Sequence, residues 1–501
     1  MKQGTLLRRL AGQTVIYGIS SIVARLLNYL LTPYLTYFVM SSEEYGVVTD
    51  IYALIPFALV VLTMGMESGY FRFAGAEQDE EGRRRIFATT WGATSAAALL
   101  FFGIIMIFNR PIAEAMSYGR HPSYVWLTAA VILLDVVTAI PFARLRQQNR
   151  VVRFVTVRIG SVAVNLALCL FFYNLLPGLA QHGGVWSRIW QPEYGAGYLL
   201  IANVAASLFS LLVLLPSCDG VLPRIDSKLF RRILLYSLPL LVGGIAGTAN
   251  EFIDRQMIKY LLPEDIALAQ LGLYGAVVKI GVVMLLFTQM YRMAAEPFFL
   301  SGLDKDDFRG VNAEALKYFM IVSVAIFLGI ALFPGIFSRI VGPDFREGMA
   351  ILPVVLVSNI LSGVVLNLSF WYKQSGRTEF AIVVTGTGLL FTVVFNILLV
   401  PRLGYFGAAW ARLICEGSMV VLSYILNRRH CPTPYDLRRI GEYVVLGGAI
   451  YAAGTLTAQL PAAARYGCNA AMTGLFILYA LRREEIDLRG ALRRGNSKNK
   501  V

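Results

Sequence analysis

The sequence predicts an all-α integral membrane protein of 14 transmembrane helices, and three observations carry that expectation. Of its 501 residues, 57% are hydrophobic and only 15% are charged, against about 25% charged in a soluble domain. The apolar residues gather into 14 windows near the roughly 20 residues that a helix needs to cross a bilayer. The basic residues sort by loop, as the positive-inside rule demands.

In chain order the windows are 13–38, 47–69, 86–108, 123–143, 154–176, 197–216, 233–253, 272–293, 318–337, 349–372, 380–400, 407–426, 443–460 and 466–481. Lipid leaves each backbone amide to be satisfied within its own segment, so helices are the natural spanning form. A β-barrel would show short alternating strands, and these runs are too long and too uniformly apolar. The first window resembles a signal sequence only superficially. Its apolar run is too long and no small-residue cleavage site follows, so it reads as a retained span. The connections are short, and none is large enough to fold as a soluble domain.

The formal net charge is +14. With the N-terminus placed inside, 32 of the 45 Lys and Arg fall in inside loops, in termini or, for Arg292, at the inside end of a window, with nine outside and four deeper within windows. Arg255 and Lys259 are among the outside nine. Both termini are therefore expected in the cytoplasm, and the basic balance is a topology signal with some attraction to anionic lipid, not a nucleic-acid footprint. The five cysteines show no CxxC spacing, and His430-Cys431 has no partners for a metal site. There is no Walker loop, HExxH or Gly-x-Ser-x-Gly, and the three histidines fall in loops. The longest outside loop, 177–195, holds one acid, Glu193, and its Trp186, Trp190 and Tyr194 read as interfacial anchors. No enzyme constellation and no cofactor site emerges. Without an ATP site, any transport would have to be driven by an H+ or Na+ gradient or by downstream consumption of substrate.

The chain repeats itself. "RLRQQNRVVRF" (144–154) is echoed by "WYKQSGRTEF" (371–380), and Asn165 by Asn396. "LLP" (175–177) then matches "LLVP" (398–401), "EYGAGY" (193–198) matches "GYFGAAW" (404–410), and "EYGVV" (44–48) matches "LGLYGAVV" (271–278). Two six-helix lobes in parallel repeat are expected, 1–220 and 221–430, with two extra helices and a basic tail in 431–501. A pseudo-two-fold axis along the membrane normal suggests a cleft between the lobes.

A charge at mid-bilayer costs about 2.5–3.5 kcal/mol on the insertion scale, so such residues face protein or water. The in-span candidates are Arg25, Asp50, Asp135, Arg158, Glu251, Asp254, Lys279, Arg412 and Glu416. Arg158 is shallow enough to snorkel, and Arg412 and Glu416 neutralise each other at i, i+4. In "ANEFIDRQMIKYLL" (249–262), Glu251, Asp254 and Arg255 share one helix face. Arg25, Asn28 and Tyr29 form a second polar stripe. Registering the repeats on Gly46 and Gly272 sets Arg25 opposite Glu251. The stripes either line the cleft or pair structurally to fix lobe packing, and Asp135 and Lys279 fit both readings.

"EFIDRQMIKYLLPEDIALAQLGLYGAVVKI" (251–280), "AAEPFF" (294–299), "WYKQSGRTEF" and "NILLVPRLGYFGAAWA" (396–411) resemble the multidrug/oligosaccharidyl-lipid/polysaccharide exporter superfamily. The closer match is to its polysaccharide-biosynthesis branch, the bacterial O-antigen and capsule flippases. The resemblance implies a bacterial inner-membrane carrier that inverts polyprenyl-pyrophosphate-linked oligosaccharide, working beside a polysaccharide polymerase and glycosyltransferases. It implies pyrophosphate attraction by Arg25 and Lys279, with Arg255 near the outer mouth. Asp254, Glu251 and Asp135 would gate or couple to protons, and Tyr29, Tyr34 and Tyr37 would stack on sugars. Within the windows acids match or outnumber bases, so the residues themselves do not establish a strongly cationic cleft. A drug exporter would prefer acids but usually has 12 spans. A lipid II flippase shares 14, and a non-transporting scaffold is a third class.

Overall fold

The computed structural model describes Tyr29 and residues 31–300, 305–375, 377 and 379–485. The chain is an all-α membrane protein, and no strand occurs among the described residues. The longer helices are α1 (Ser42–Thr63), α2 (Met66–Ala76), α3 (Glu80–Ile107), α4 (Ser123–Gln147), α5 (Val151–Leu170), α6 (Ala196–Leu214), α7 (Ser227–Leu261) and α8 (Glu264–Ile280). They continue as α9 (Val282–Leu300), α10 (Lys305–Ala331), α11 (Leu352–Gln374), α12 (Glu379–Leu403), α13 (Tyr405–His430), α14 (Leu437–Leu456) and α15 (Ala462–Arg483). Ten spans among the described residues are long and apolar enough to cross a membrane, or 11 if α8 and α9 are counted as one. The expected window 13–38 lies largely outside the described residues. Windows 443–460 and 466–481 are α14 and α15, which fall outside that ten. Fourteen therefore stays an expectation.

Local signals set the helix ends. Ser41 and Glu44 close a capping box on α1, with Glu44 N donating to Ser41 Oγ at 3.2 Å and Ser41 N to Glu44 Oε2 at 3.1 Å. Asp79, Asp226 and Asp436 cap α3, α7 and α14 by accepting first-turn amides. The window expected at 47–69 is broken, because Met64 and Gly65 both adopt left-handed backbone and separate α1 from α2. The window expected at 272–293 is likewise interrupted at Gly281.

Contacts group the chain into two compact units. The first takes the chain up to Lys279 with Val341–Gly348 and Glu379–Cys415. In it α4 packs against α3 and α6, while α7 packs against α12, α1 and α2. Met66, Tyr70, Phe87, Trp91, Ile140 and Ile233 form one buried cluster. The two glycines that the expected repeat sets in register meet here. A Cβ on Gly46 would lie 1.9 Å from Leu268 O, and one on Gly272 would lie 1.9 Å from Ser42 O. Only hydrogen side chains let α1 and α8 cross this closely.

The second unit comprises Ile280–Ile340, Met349–Thr378 and the chain from Glu416 onward. There α11 packs on α9 and α10, and α10 on α14 and α15. Phe299 stacks on Phe370 at 4.9 Å. Glu484, just past α15, has a side chain only 2% exposed and lies 2.5 Å from Lys317 Nζ. It also accepts from Tyr443 Oη at 2.8 Å and lies 3.5 Å from Arg439. Burial by itself would raise the Glu484 carboxyl. Hydrogen bonds from Lys317 and Tyr443 and the charges of Lys317 and Arg439 override it and hold it below the usual carboxylate range. A carboxylate depressed by folding contributes stability above its unfolded pKa of about 4.3. That stability is lost as pH falls through the lower folded value. Acidification below about pH 4 is therefore expected to loosen α14 and α15, read as faster amide exchange there. Glu484→Gln should remove that acid step, and an unchanged acid profile in Glu484→Gln would refute the assignment.

Candidate functional site

Arg25 and Asn28 lie outside the described residues, and Tyr29 is half-buried. The remaining expected residues fall into three places in the first unit.

Asp135 lines a cavity of about 630 Å³ between α1, α2, α4, α5 and α6. Its Oδ1 accepts from Ser207 Oγ at 2.7 Å. Asn165 Nδ2 donates to Asn203 Oδ1 at 3.0 Å, and Asn203 Nδ2 donates to Tyr52 Oη at 2.8 Å. Arg158 Cζ lies 4.3 Å from the Phe142 ring centroid, and the residue lines the cavity. Arg146 is hydrogen-bonded to Glu67, and both line it too. Two guanidiniums and two carboxylates balance, so the lining is polar and formally neutral. Amides and hydroxyls supply its hydrogen bonds. Lys279 stands nearby: its Nζ donates to Tyr45 Oη at 2.8 Å and lies 5.6 Å from the ring of Tyr52.

The charged stripe of α7 divides. Asp254 is 3% exposed and meets α12, where Asn396 Nδ2 donates to its Oδ1 at 3.1 Å. Tyr274 Oη lies 3.5 Å from Oδ2. One turn back along α7, Thr392 Oγ1 donates to Asn250 Oδ1 at 3.2 Å. The buried Asn396 Oδ1 has no hydrogen-bond partner. Glu251 is largely exposed and lies 4.0 Å from Arg412, and Arg255 donates to the Glu251 carbonyl. The pairing of Arg412 with Glu251 joins α13 to α7.

The third place departs from the sequence-based expectation. Lys259 is expected in an outside loop, but α7 continues to Leu261 because no proline or glycine lies between the window end at Ile253 and Pro263. Lys259 is buried, with Nζ 2.5 Å from Asp50 Oδ2. Tyr118 Oη and Gln256 Nε2 also donate to Asp50, and Lys259 Nζ sits 4.2 Å from the Tyr118 ring centroid. One carboxylate thus takes three donors from α7 and from the segment between α3 and α4. A weak signal was present: Gln256 and Lys259 stand three apart and share one helix face, though not the face of Asn250 and Asp254. Tyr52, Asn203 and Ser207 carried no comparable signal, since lone polar residues in apolar helices are common. No group of three His, Cys, Asp or Glu side chains suited to a metal ion occurs among the described residues.

The described residues thus form an all-helical membrane bundle holding a formally neutral polar cavity, a desolvated ion pair and a buried carboxylate. It matches a structure of the lipid II flippase MurJ in an inward closed conformation with a TM-score of 0.74 at 14% identity, over 94% of this chain and 100% of that one. An inward-facing multidrug resistance MATE family transporter of the MOP superfamily matches with a TM-score of 0.62 at 14% identity, over 81% and 94%. The MATE multidrug transporter DinF-BH matches at 0.55 with 18% identity, over 85% and 95%. At these identities the likeness speaks for the fold. No curated protein sequence matches the chain. The chain belongs to the polysaccharide biosynthesis protein family, whose model matches residues 10–302.

Proposed function

We propose that this chain is a flippase of the bacterial inner membrane. It moves polyprenyl-pyrophosphate-linked oligosaccharide from the cytoplasmic to the outer leaflet by alternating access, for cell-surface polysaccharide such as O-antigen. Residues 1–220 and 221–430 act as its two lobes, and both termini face the cytoplasm. The observation that carries this reading is the neutral polar cavity beside Lys279. Amides, hydroxyls and balanced charges suit an oligosaccharide, whose many hydroxyls need partners once water is stripped away. A cationic drug would call for uncompensated acids. The ammonium of Lys279, with Arg25, supplies the charge that pyrophosphate oxygens require. Asp254 is the group placed at the coupling step, where a proton or Na+ alters its bonds to Asn396 and Tyr274. A polymerase and glycosyltransferases would supply and consume the cargo.

The test is purified protein in vesicles with a fluorescent polyprenyl-pyrophosphate sugar, lipid II and a cationic dye offered separately. Flipping of the first alone supports the proposal. Preference for lipid II or for dye efflux would replace it. Lys279→Met and Arg25→Ala should each lower the flipping rate at least about tenfold, the loss of one charge-assisted phosphate contact. Asp254→Asn should abolish dependence on the ion gradient while substrate still binds.

A further inference from the structure

The linker 219–226 joins α6 to α7 and is tied down at three points. Arg144, itself buried, donates to Asp219 Oδ2 at 2.9 Å and to Cys218 O at 3.0 Å. Arg224 N donates to Ala88 O at 3.0 Å, and Arg85 pairs with Asp226. The linker backbone passes so close to α3 that a Cβ on Gly92 would lie 2.9 Å from Arg224 N. Between the start of α3 and this linker is a cavity of about 480 Å³, lined by Arg84, Arg85, Arg224, Thr89, Glu81 and Asp226 among others. Asp226 is engaged by Arg85 and by two first-turn amides. The Arg84 and Arg224 side chains form no ion pair among the described residues, and only Glu81 opposes them. Two arginines from different segments that line one cavity supply the donors a phosphate takes. Its place in the chain points to lipid: Arg84 and Arg85 directly precede the apolar run that starts at Ile86. Leu222 and Ile225 on the linker are 78% and 46% exposed, placed to enter the acyl boundary beside the cavity.

We infer that this cavity binds the headgroup of an anionic glycerophospholipid, with Arg84 and Arg224 gripping its phosphate. Occupancy fastens the linker to α3. The site lies apart from the polar cavity around Asp135 and is independent of the cargo.

Lipid retention by native mass spectrometry and thermal unfolding in neutral detergent test this. Phosphatidylglycerol, phosphatidylcholine, inorganic phosphate and polyprenyl pyrophosphate are added separately. Wild type should retain and be stabilised by phosphatidylglycerol over phosphatidylcholine. Arg84→Gln/Arg224→Gln should bind it at least tenfold more weakly, Arg84→Lys/Arg224→Lys should keep most of the affinity, and Arg188→Gln should match wild type. Lipid-free melting points report whether each variant is folded. Equal retention of both phospholipids, an unchanged Gln double variant, equal stabilisation by inorganic phosphate, or stronger retention of polyprenyl pyrophosphate would each overturn the inference. None of these measurements involves flipping, so their failure leaves the transport proposal untouched.

Discussion

Lys259→Met destabilises the folded protein by about 3 kcal/mol or more, the usual cost of removing one partner from a buried ion pair. Asp50 and Lys259 are side chains 1% and 3% exposed, so the orphaned carboxylate has no water to turn to. Tyr118 and Gln256 still donate to it, which holds the loss toward the lower end of the range of about 3–5 kcal/mol. Asp50→Asn/Lys259→Met should recover most of the loss, because replacing both charges removes the desolvation penalty along with the attraction. Thermal unfolding of the two singles and the double in one detergent measures this. A Lys259→Met loss below about 1 kcal/mol, the scale of an exposed pair, would show that the pair is solvated. Under the transport proposal the pair also latches α1 to α7 at the outer end. The single variant should then expose that end, read as faster labelling of Ala113→Cys, a buried position in the same segment as Tyr118.

Gly272→Ala should be as damaging, for a steric reason. Its Cβ would lie 1.9 Å from the Ser42 carbonyl oxygen. That neighbour is backbone, so no side-chain rotation relieves the clash, and α1 and α8 must separate. A loss beyond the usual overpacking cost of about 1–3 kcal/mol is expected. Gly46→Ala should behave alike, since its Cβ meets the Leu268 carbonyl at the same distance. Gly103→Ala and Gly417→Ala are the controls. Nothing lies within 4 Å of either added methyl, and alanine in a helix interior is favoured over glycine by about 1 kcal/mol. Unfolding midpoints that fall equally at all four sites would rule out the close crossing.

Much of the polar interior was legible as an inventory but not as a set of partners. Insertion cost alone singles out Asp135, Asp254 and Lys279 as in-span charges, and the structure gives each a protein partner: Ser207, Asn396 and Tyr45. Those partners lie on other helices, dozens to hundreds of residues away, and helical spacing reports only neighbours three and four apart on one helix. Glu251 shows the limit. The register on Gly46 and Gly272 sets it opposite Arg25, which lies outside the described residues, while the structure records Arg412 beside it. Lys259 escapes for a different reason. Its window ends where apolarity ends, yet a helix stops only where a breaker or cap stops it, here at Pro263.

The fold class follows from sequence alone, because lipid leaves the backbone no alternative to the helix once apolar runs reach membrane length. The repeat expected from the sequence sets Gly46 and Gly272 in register. Packing in three dimensions settles that these two glycines press against neighbouring backbone, that Asp50 finds Lys259, and that Arg84 and Arg224 converge on one cavity. Such pairings depend on which helix faces meet, and that is fixed by contacts summed over the whole bundle rather than by any local pattern.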